Sequence, residues 1–349
     1  MSFETGTATS RGDLIAKWFN FLQANGWTAD VDYAADPSSP AWGIIQRKVN
    51  LSPEDETTCN LHCGFVPFNG SDGFAAQGYC LNMIPMRDYV SGEPQDAVDV
   101  PTEGTTPFTT TSGNRHMVTL FPTAGPYERY WFFESDYYAH AVVETTVGFF
   151  RHFGMGQLSK IGRWFGGEYY YGSYPLNVAN AKYTFNTIGL DPIYATTQGA
   201  PCVYGRKLNG DAFPGIFGRD SPPSHWYAMG TEGDVQDQRV RGQLTGNGCR
   251  GGTHAMLMKT HVSDFNGFRG MWPIFVAHWH TTPVPDQIYP LGFQPDVRSV
   301  SVAGAIEGGE EILSGADTWL VFPAHRKSAT PIAGEWSGVF GLAYKKVTT

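Results

Sequence analysis

The sequence predicts an α+β fold that is mainly antiparallel β, with an N-terminal amphipathic helix packed on a sheet and a loop-rich β region after it. Three observations predict this fold. The 349 residues include 42 glycines and 23 prolines, yet only 16% are charged and 14% are aromatic, which favours short strands and tight turns. Helical periodicity is clear in one segment near the N-terminus. The other apolar runs are short and are separated by turn residues.

The predicted helix begins after Thr9 or Ser10, either of which can cap it, and runs to about Ala24. Asn25-Gly26 provides a C-terminal stop. The apolar residues of this segment fall at helical spacing on one broad face; they are Leu14, Ile15, Trp18, Phe19, Phe21 and Leu22. We expect this face to pack on a sheet, and docking onto a partner subunit is the alternative.

Short β-rich runs follow the helix and predict an antiparallel sheet. They are Trp42–Val49, Thr57–Pro67, Gly78–Ile84 and His116–Phe121. Between the last two lies a segment from Val90 to Gly113 that is rich in Ser, Thr, Pro and acidic residues. Its composition predicts an exposed loop or arm.

The stretch from Tyr127 to Tyr174 contains 16 of the 50 aromatic residues of the chain. Its first part, Arg129–Glu144, is predicted to form one strand or two bent strands at the centre of the sheet. Aromatic side chains bury about 150–250 Å² each, and the glycines among them let backbones approach closely. We expect core or assembly contacts from Trp131, Phe133, Phe149, Phe150, Phe153, Tyr169, Tyr170 and Tyr171.

Near residue 180 the composition changes: turn residues become frequent and the apolar runs become short. This change predicts a helix-plus-sheet core domain at 1–180 and a loop-rich β region at 181–349 that makes subunit contacts. One continuous domain with long insertions is the alternative. Short apolar runs in the second part predict strands at Pro201–Tyr204, Met256–Met258, Trp272–His280, Val297–Ala303, Thr318–Phe322 and Gly338–Tyr344. Two turn-rich segments, Lys207–Asp237 and Arg241–Thr253, are predicted to be irregular.

Three motifs carry a resemblance to a known family: SFETGTAT at residues 2–9, VVETTVGFFRHFGMGQLSKIG at 142–162 and GGEYYYGS at 166–173. They resemble virion structural proteins of tailed bacteriophages and prophages. The likeness covers residues 1–30 and the range Trp131–Tyr174. It implies a place in a virion. Because the family has no agreed biochemical activity, the resemblance carries over no catalytic residue.

The charge balance argues against a nucleic-acid partner. The net charge is −9, and the longest runs of cations are Arg47-Lys48 and Lys345-Lys346, whereas a phosphate-binding groove needs clustered cations. No apolar run reaches the roughly 18 residues of a membrane span, so we predict no membrane partner. The N-terminus lacks the charged and apolar regions of a secretory signal. We therefore expect a protein that is made in the host bacterial cytoplasm and located in the virion.

The chain has five cysteines, an odd number that leaves at least one unpaired within the chain. Four residues apart on one strand, Cys59 and Cys63 would lie about 13 Å from each other, too far for a mutual disulfide. The simplest interpretation is five buried or half-buried thiols in a reducing cytosol. The alternative is a disulfide between subunits, for which the candidates are Cys59, Cys63, Cys80, Cys202 and Cys249.

We predict no cofactor, no catalytic residue and no metal site. If a metal were bound, His278 and His280 would be the candidates, because alternate residues of a strand share a face. His254 and His261 could supply a third ligand. The alternative is that these histidines form hydrogen bonds in a polar patch or a subunit contact. The Gly246–Gly252 loop lacks the lysine and the strand–helix frame of a phosphate-binding loop.

The sequence predicts a non-enzymatic virion component that is peripheral to the tail, at the neck collar or the baseplate, and assembles as a symmetric oligomer. Its expected partners are further copies of itself and tail sheath, neck or baseplate subunits. A tail-tip protein that binds or cleaves glycans is an alternative, since Glu134 and Asp136 share a face if Trp131–Tyr138 is one strand. A capsid decoration protein is a further alternative.

Overall fold

A computed structural model describes residues 1–33, 43–49, 59–68, 80–86, 88–90, 93–95, 117–120, 123–172, 202–206, 226–228, 248–250, 264–265, 268–280, 287–302, 307–323 and 340–346. These residues form one helix, α1 (Arg11–Ala24), and 23 strands. The first twelve strands are β1 (Ser2–Ala8), β2 (Thr28–Val31), β3 (Gly43–Val49), β4 (Cys59–Phe68), β5 (Cys80–Met86), β6 (Asp88–Val90), β7 (Glu93–Gln95), β8 (Met117–Thr119), β9 (Tyr127–Ser135), β10 (Tyr138–Thr146), β11 (Phe149–Gln157) and β12 (Ser159–Lys160). The remaining eleven are β13 (Phe165–Tyr171), β14 (Cys202–Arg206), β15 (Trp226–Ala228), β16 (Gly248–Arg250), β17 (Asp264–Phe265), β18 (Phe268–Arg269), β19 (Met271–His280), β20 (Gln287–Ser301), β21 (Glu310–Ser314), β22 (Asp317–Pro323) and β23 (Phe340–Lys346).

Three sheets build the molecule. The central sheet has the strand order β1-β9-β10-β11-β13-β14-β15, and the side sheet has the order β2-β3-β4-β5-β8. The cover sheet has the order β16-β19-β20-β23-β22-β21, with β12 also paired to β20. Two short ribbons, β6–β7 and β17–β18, complete the described strands. Neighbouring strands run antiparallel in all three sheets, which confirms the prediction of a mainly antiparallel β protein.

The central sheet is covered on both faces. Because side chains alternate along a strand, Phe132 and Phe153 join one apolar cluster with α1 and the side sheet, whereas Phe133 and Phe150 join a second cluster with the cover sheet. All nine residues of β11 are buried. Burial on both faces explains why these strands carry apolar and aromatic residues on both faces.

Helix α1 lies between the central and side sheets. Its N-terminal cap is Ser10, whose side chain accepts a hydrogen bond from the Asp13 N–H, and its bounds agree with those predicted from the sequence. The Trp18 ring packs edge-on against Phe132 of β9, with 4.8 Å between centroids. On the other side, Phe19 packs against Phe65 of β4 at 5.7 Å. The helix therefore fills the space between two sheets with aromatic side chains.

The cover sheet packs on the opposite face of the central sheet. Phe322 of β22 lies 4.8 Å from Trp131 between ring centroids, and Tyr344 of β23 stacks on Phe133 at 5.0 Å. Strands β22 and β23 occupy the two runs near the C-terminus that were predicted to be strands, and they pair directly with each other.

Several predicted strands have matching elements. Strands β3, β4, β5 and β8 occupy the four runs predicted between residues 42 and 121. The Arg129–Glu144 segment forms two strands, β9 and β10, joined by a two-residue turn at Asp136 and Tyr137. The predicted arm at Val90–Gly113 begins with part of the β6–β7 ribbon. Both turn-rich segments contain a three-residue strand, β15 in one and β16 in the other, and Met256–Met258 lies outside the described residues.

Strands from both sides of residue 180 share these sheets. Strands β14 and β15 of the second part extend the central sheet, and β12 of the first part pairs with β20 in the cover sheet. The division into domains at 1–180 and 181–349 stays a prediction.

Candidate functional site

A chain of buried tyrosine and histidine side chains lies between the central and cover sheets. His140 of β10 is at its centre and is fully buried. Its Nδ1 lies 2.6 Å from the Tyr171 hydroxyl, and its Nε2 lies 3.1 Å from the Tyr169 hydroxyl. The Tyr171 hydroxyl in turn lies 3.5 Å from that of Tyr344. Three strands, β10, β13 and β23, therefore contribute to one polar connection.

The chain continues through His152 of β11, whose Nδ1 lies 2.9 Å from the Tyr344 hydroxyl. The other ring nitrogen, Nε2, lies 3.2 Å from the carbonyl oxygen of Pro323. A buried polar group is costly unless it is hydrogen-bonded. This connection satisfies both nitrogens of both histidines. We refer to Tyr169, His140, Tyr171, Tyr344, His152 and the Pro323 carbonyl as the inter-sheet network.

Two glycines of β11 make room for the network. A Cβ at Gly154 would lie 2.7 Å from His140 Nδ1 and 2.8 Å from the Tyr171 hydroxyl. A Cβ at Gly156 would lie 2.5 Å from the Tyr169 hydroxyl. Real Cβ atoms essentially never approach that closely, so the Gly-Met-Gly sequence is required by the rings beside it.

Counting donors and acceptors assigns the direction of every hydrogen bond in the network. The Pro323 carbonyl can only accept, so His152 Nε2 carries the proton, and Nδ1 of a neutral ring must accept from the Tyr344 hydroxyl. The Tyr344 oxygen is then left to accept from the Tyr171 hydroxyl.

The same counting continues to the other end of the network. The Tyr171 oxygen accepts from His140 Nδ1–H, and His140 Nε2 accepts from the Tyr169 hydroxyl. One tautomer of each histidine satisfies all five contacts.

Burial keeps His140 and the three tyrosines of the network uncharged at neutral pH. It lowers the pKa of His140 from its ordinary value to about 3 and raises the pKa values of Tyr169, Tyr171 and Tyr344 well above the usual range. A group whose pKa lies so far from neutrality is a poor general acid or base at pH 7. The inter-sheet network is suited to joining sheets and not to transferring protons.

Tyr138 adds a second polar link between the same sheets. Its hydroxyl donates to the Asp296 carboxylate on β20 and accepts from the Ser135 hydroxyl. Its ring lies 4.6 Å from the His140 ring between centroids. Asp296 has a positive φ of 50°, a conformation that aspartate tolerates better than most residues. The link therefore joins β20 of the cover sheet to the first residue of β10 in the central sheet.

A cluster of charges lies at the end of β9. The Arg47 guanidinium of β3 bonds the carboxylates of both Glu134 and Asp136 and donates to the Asn25 carbonyl at 2.8 Å. Trp27 Nε1 donates to Glu134 at 3.3 Å. Burial raises the pKa of Glu134, while the positive charge of Arg47 opposes the rise.

The condition under which Glu134 and Asp136 would share one strand face is not met. Strand β9 ends at Ser135, so Asp136 lies in the turn and not on one strand face with Glu134. Both carboxylates bind the same guanidinium, so Arg47 holds the two acids together and offsets part of their negative charge.

A third polar cluster joins the side sheet to its neighbours. His62 of β4 is fully buried, and its Nε2 lies 2.7 Å from the Asp30 carboxylate of β2. Its Nδ1 lies 4.0 Å from Asp88 of β6. Burial lowers the pKa of His62, and the two carboxylates oppose the shift. The Tyr170 hydroxyl accepts from the backbone N–H of His62 at 3.0 Å and donates to its carbonyl at 3.2 Å, which links the central and side sheets.

The aromatic residues that the sequence singled out are all buried. They are Trp131, Phe133, Phe149, Phe150, Phe153, Tyr169, Tyr170 and Tyr171. Tyr169, Tyr170 and Tyr171 alternate between the two faces of β13, so Tyr170 joins the helix-side cluster and the other two join the cover-sheet cluster. The prediction gave these residues a packing role, and three of them also carry hydrogen bonds.

The cysteines lie on four different strands. Cys59 and Cys63 are both on β4, extended as predicted, and Cys63 is fully buried with its Sγ 3.5 Å from the Gly64 carbonyl. A thiol in that position does not reach a neighbouring subunit. Cys80 is on β5, Cys202 on β14 and Cys249 on β16, and their intersubunit disulfide stays a prediction.

The two candidate metal ligands, His278 and His280, are alternate residues of β19, so the backbone places them on the same face of the strand. His278 lies opposite Cys249 of β16 and Tyr289 of β20, and His280 lies opposite Gln287, with no register shift between them. Their side chains, and the whole of residues 254 and 261, lie outside the described part of the structure. Among the side chains that are described, no group of three His, Cys, Asp or Glu could hold a metal ion.

Sequence reasoning missed His140, His152, Tyr344 and Arg47. One local signal could have indicated the space that His140 occupies. Gly154 and Gly156 are two residues apart, as are Tyr169 and Tyr171, and the two pairs lie opposite each other on neighbouring strands.

No protein-family model matches this chain, and no curated protein matches it. In the portion of the chain that the structure describes, no helix is both long enough and apolar enough to cross a membrane.

Proposed function

We propose that this chain is a non-enzymatic structural component of a tailed-phage virion. In this proposal it is peripheral to the tail, at the neck collar or the baseplate, and assembles as a symmetric oligomer with itself and with neighbouring virion proteins. The resemblance of residues 142–173 to virion structural proteins is the starting point.

One observation carries the proposal. The resembling residues form β10, β11 and β13, the part of the central sheet that is covered on both faces. Of their polar side chains, Tyr169 and Tyr171 bond His140 of the same sheet, and Tyr171 and His152 bond Tyr344 of the cover sheet. A catalytic acid or base must come within hydrogen-bond reach of a substrate, and these groups are enclosed. The stretch is therefore suited to holding a rigid subunit in one shape.

The alternative of a glycan-cleaving tail-tip protein is less well supported. Such chemistry needs two carboxyl groups facing a sugar, one of them protonated and the other charged. Glu134 and Asp136 instead share the Arg47 guanidinium, and Glu134 is only 4% exposed. Cleavage would require Arg47 to leave both.

Two measurements test the proposal. Quantitative mass spectrometry of purified particles should find this chain at a fixed, integral copy number relative to a known tail subunit. The purified protein should release no reducing sugar from host surface polysaccharide, and Glu134→Gln should leave that result unchanged. Absence of the chain from washed particles would overturn the virion assignment. Sugar release that Glu134→Gln abolishes would instead establish the glycan-cleaving alternative.

A further inference from the structure

Strand β21 forms an exposed edge of the cover sheet. It pairs with β22 on one side, and no other described strand pairs with its outer side. Four of its five residues are exposed, and the fifth, Ile312, is half-buried. Leu313 is 76% exposed. An exposed edge strand that carries a large apolar side chain is a template for pairing with another chain.

Two other edges of the described sheets, β1 and β2, carry features that prevent such pairing. Strand β1, the edge of the central sheet, has a register shift between Gly6 and Ala8. In addition, the Lys17 ammonium donates a hydrogen bond of 2.8 Å to the Thr7 carbonyl oxygen, which is then less available to another strand. Strand β2, the edge of the side sheet, has a register shift between Ala29 and Val31. Bulges and lysines are the usual means of blocking an edge. Strand β21 has a continuous register against β22 and contains neither lysine nor proline.

The geometry of the hairpin decides which backbone groups of β21 point outward. Strands β21 and β22 are joined by a two-residue turn, with Ser314 opposite Asp317. In such a hairpin the closing pair exchanges hydrogen bonds, and the pairs then alternate. Ile312 therefore bonds β22, and the N–H and C=O groups of Glu311 and Leu313 point away from the sheet.

We propose that β21 of one copy pairs antiparallel with β21 of a second copy, with Ile312 opposite Ile312 at the two-fold axis, so that the two cover sheets become one continuous sheet.

The sequence of β21 is compatible with pairing to itself. About Ile312, Glu311 lies opposite Leu313 of the partner strand and Glu310 lies opposite Ser314, so no like charges oppose each other directly. The outward backbone groups of Glu311 and Leu313 meet each other in matching positions. The Glu311 carboxylate is already compensated by Lys346 at 2.6 Å. Pairing with a second copy therefore places no charged side chain directly opposite another of the same sign.

This contact goes beyond the proposed function, which names no contact surface, and it does not depend on a place in the virion. It is isologous, because the same residues contribute from both copies. An isologous contact makes pairs of subunits, and a larger symmetric assembly would need a second contact elsewhere.

The test is the mass of the full-length protein in solution, measured by sedimentation velocity over a concentration series. We expect the wild type to approach twice the monomer mass of 38.4 kDa as its concentration rises. Leu313→Lys should remain monomeric at every concentration, because a lysine is added to the edge without touching the core. Val147→Lys is the matched control: Val147 is 81% exposed in the turn between β10 and β11, and its change should leave the association unaltered.

A wild type that is monomeric throughout, or a Leu313→Lys variant that associates as the wild type does, would overturn the proposal. Register is tested with Ile312→Cys, which should form a disulfide-linked dimer on a non-reducing gel under conditions where the wild type does not. A Val147→Cys variant that cross-links equally well would count against the assigned axis. These measurements use the purified protein and do not depend on whether particles contain the chain. The proposed β21 contact can therefore be refuted without refuting the virion assignment, and the reverse also holds.

Discussion

Replacing Tyr344 with phenylalanine removes one hydroxyl from the inter-sheet network and keeps the ring in place. That hydroxyl makes a 2.9 Å hydrogen bond to His152 Nδ1 and a 3.5 Å contact with the Tyr171 hydroxyl. The longer contact is at the limit of hydrogen-bond geometry and contributes little. The larger cost is the loss of the hydrogen bond that this hydroxyl donates to the buried His152 Nδ1, because removing one partner of a buried hydrogen bond costs about 1–3 kcal/mol. We expect Tyr344→Phe to lower the free energy of unfolding by about 2 kcal/mol.

The assay is equilibrium unfolding in guanidinium chloride, followed by tryptophan fluorescence. Tyr137→Phe is the control, because Tyr137 is 47% exposed in a turn, and it should change the free energy of unfolding by less than about 0.5 kcal/mol. In a His152→Leu background the acceptor is gone, so Tyr344→Phe should cost clearly less there than in the wild type. Equal costs in the two backgrounds, or a cost no larger than that of the control, would refute the hydrogen-bond assignment.

Three further predictions follow from the buried polar groups. Gly154→Ala should lower the free energy of unfolding by about 1–3 kcal/mol, because the new Cβ would lie 2.6 Å from the Ala139 carbonyl oxygen; unchanged thermal denaturation would contradict the packing described. Acidification from pH 6.5 to pH 5 should cost about 2 kcal/mol through His140. The unfolded state gains a proton on that ring below its ordinary pKa, whereas the folded state does not until about pH 3, and His140→Gln should remove this part of the slope. Arg47→Met should cost about 3–5 kcal/mol at pH 7 and less at pH 5, where Glu134 can protonate; an equal loss at both pH values would show that Arg47 acts through packing alone.

Local signals were sufficient to predict α1 and many of the strands. Ser10 caps the helix through a bond to the residue three positions later, so the start of α1 is encoded within one turn of chain. The strand at Gly43–Val49 and the last two strands of the cover sheet follow from short runs of β-favouring residues between turn residues. These elements could be predicted because their signals are local, whereas β20 begins at Gln287, ten residues before the predicted run at Val297–Ala303.

The inter-sheet network could not be predicted in the same way. His152 and Tyr344 are 192 residues apart in the chain, and nothing in either neighbourhood indicates the other. Arg47 and Glu134 are 87 residues apart. Glu134 and Asp136 would share a face only on one continuous strand, and β9 ends at Ser135. Which face of a strand meets which sheet is decided by packing of the whole chain, and local periodicity does not contain it.

The central claim is that this chain is a structural subunit of a tailed-phage virion, and cryo-electron microscopy of the intact particle tests it most directly. The account predicts density for the chain in a symmetric ring or bracket at the neck, along the tail or at the baseplate, with Glu134 buried and Arg47 bonded to the carboxylates of both Glu134 and Asp136. Density for the chain at the distal tip, with those two carboxylates facing an open cleft, would contradict it, as would a complete particle map in which the chain has no place.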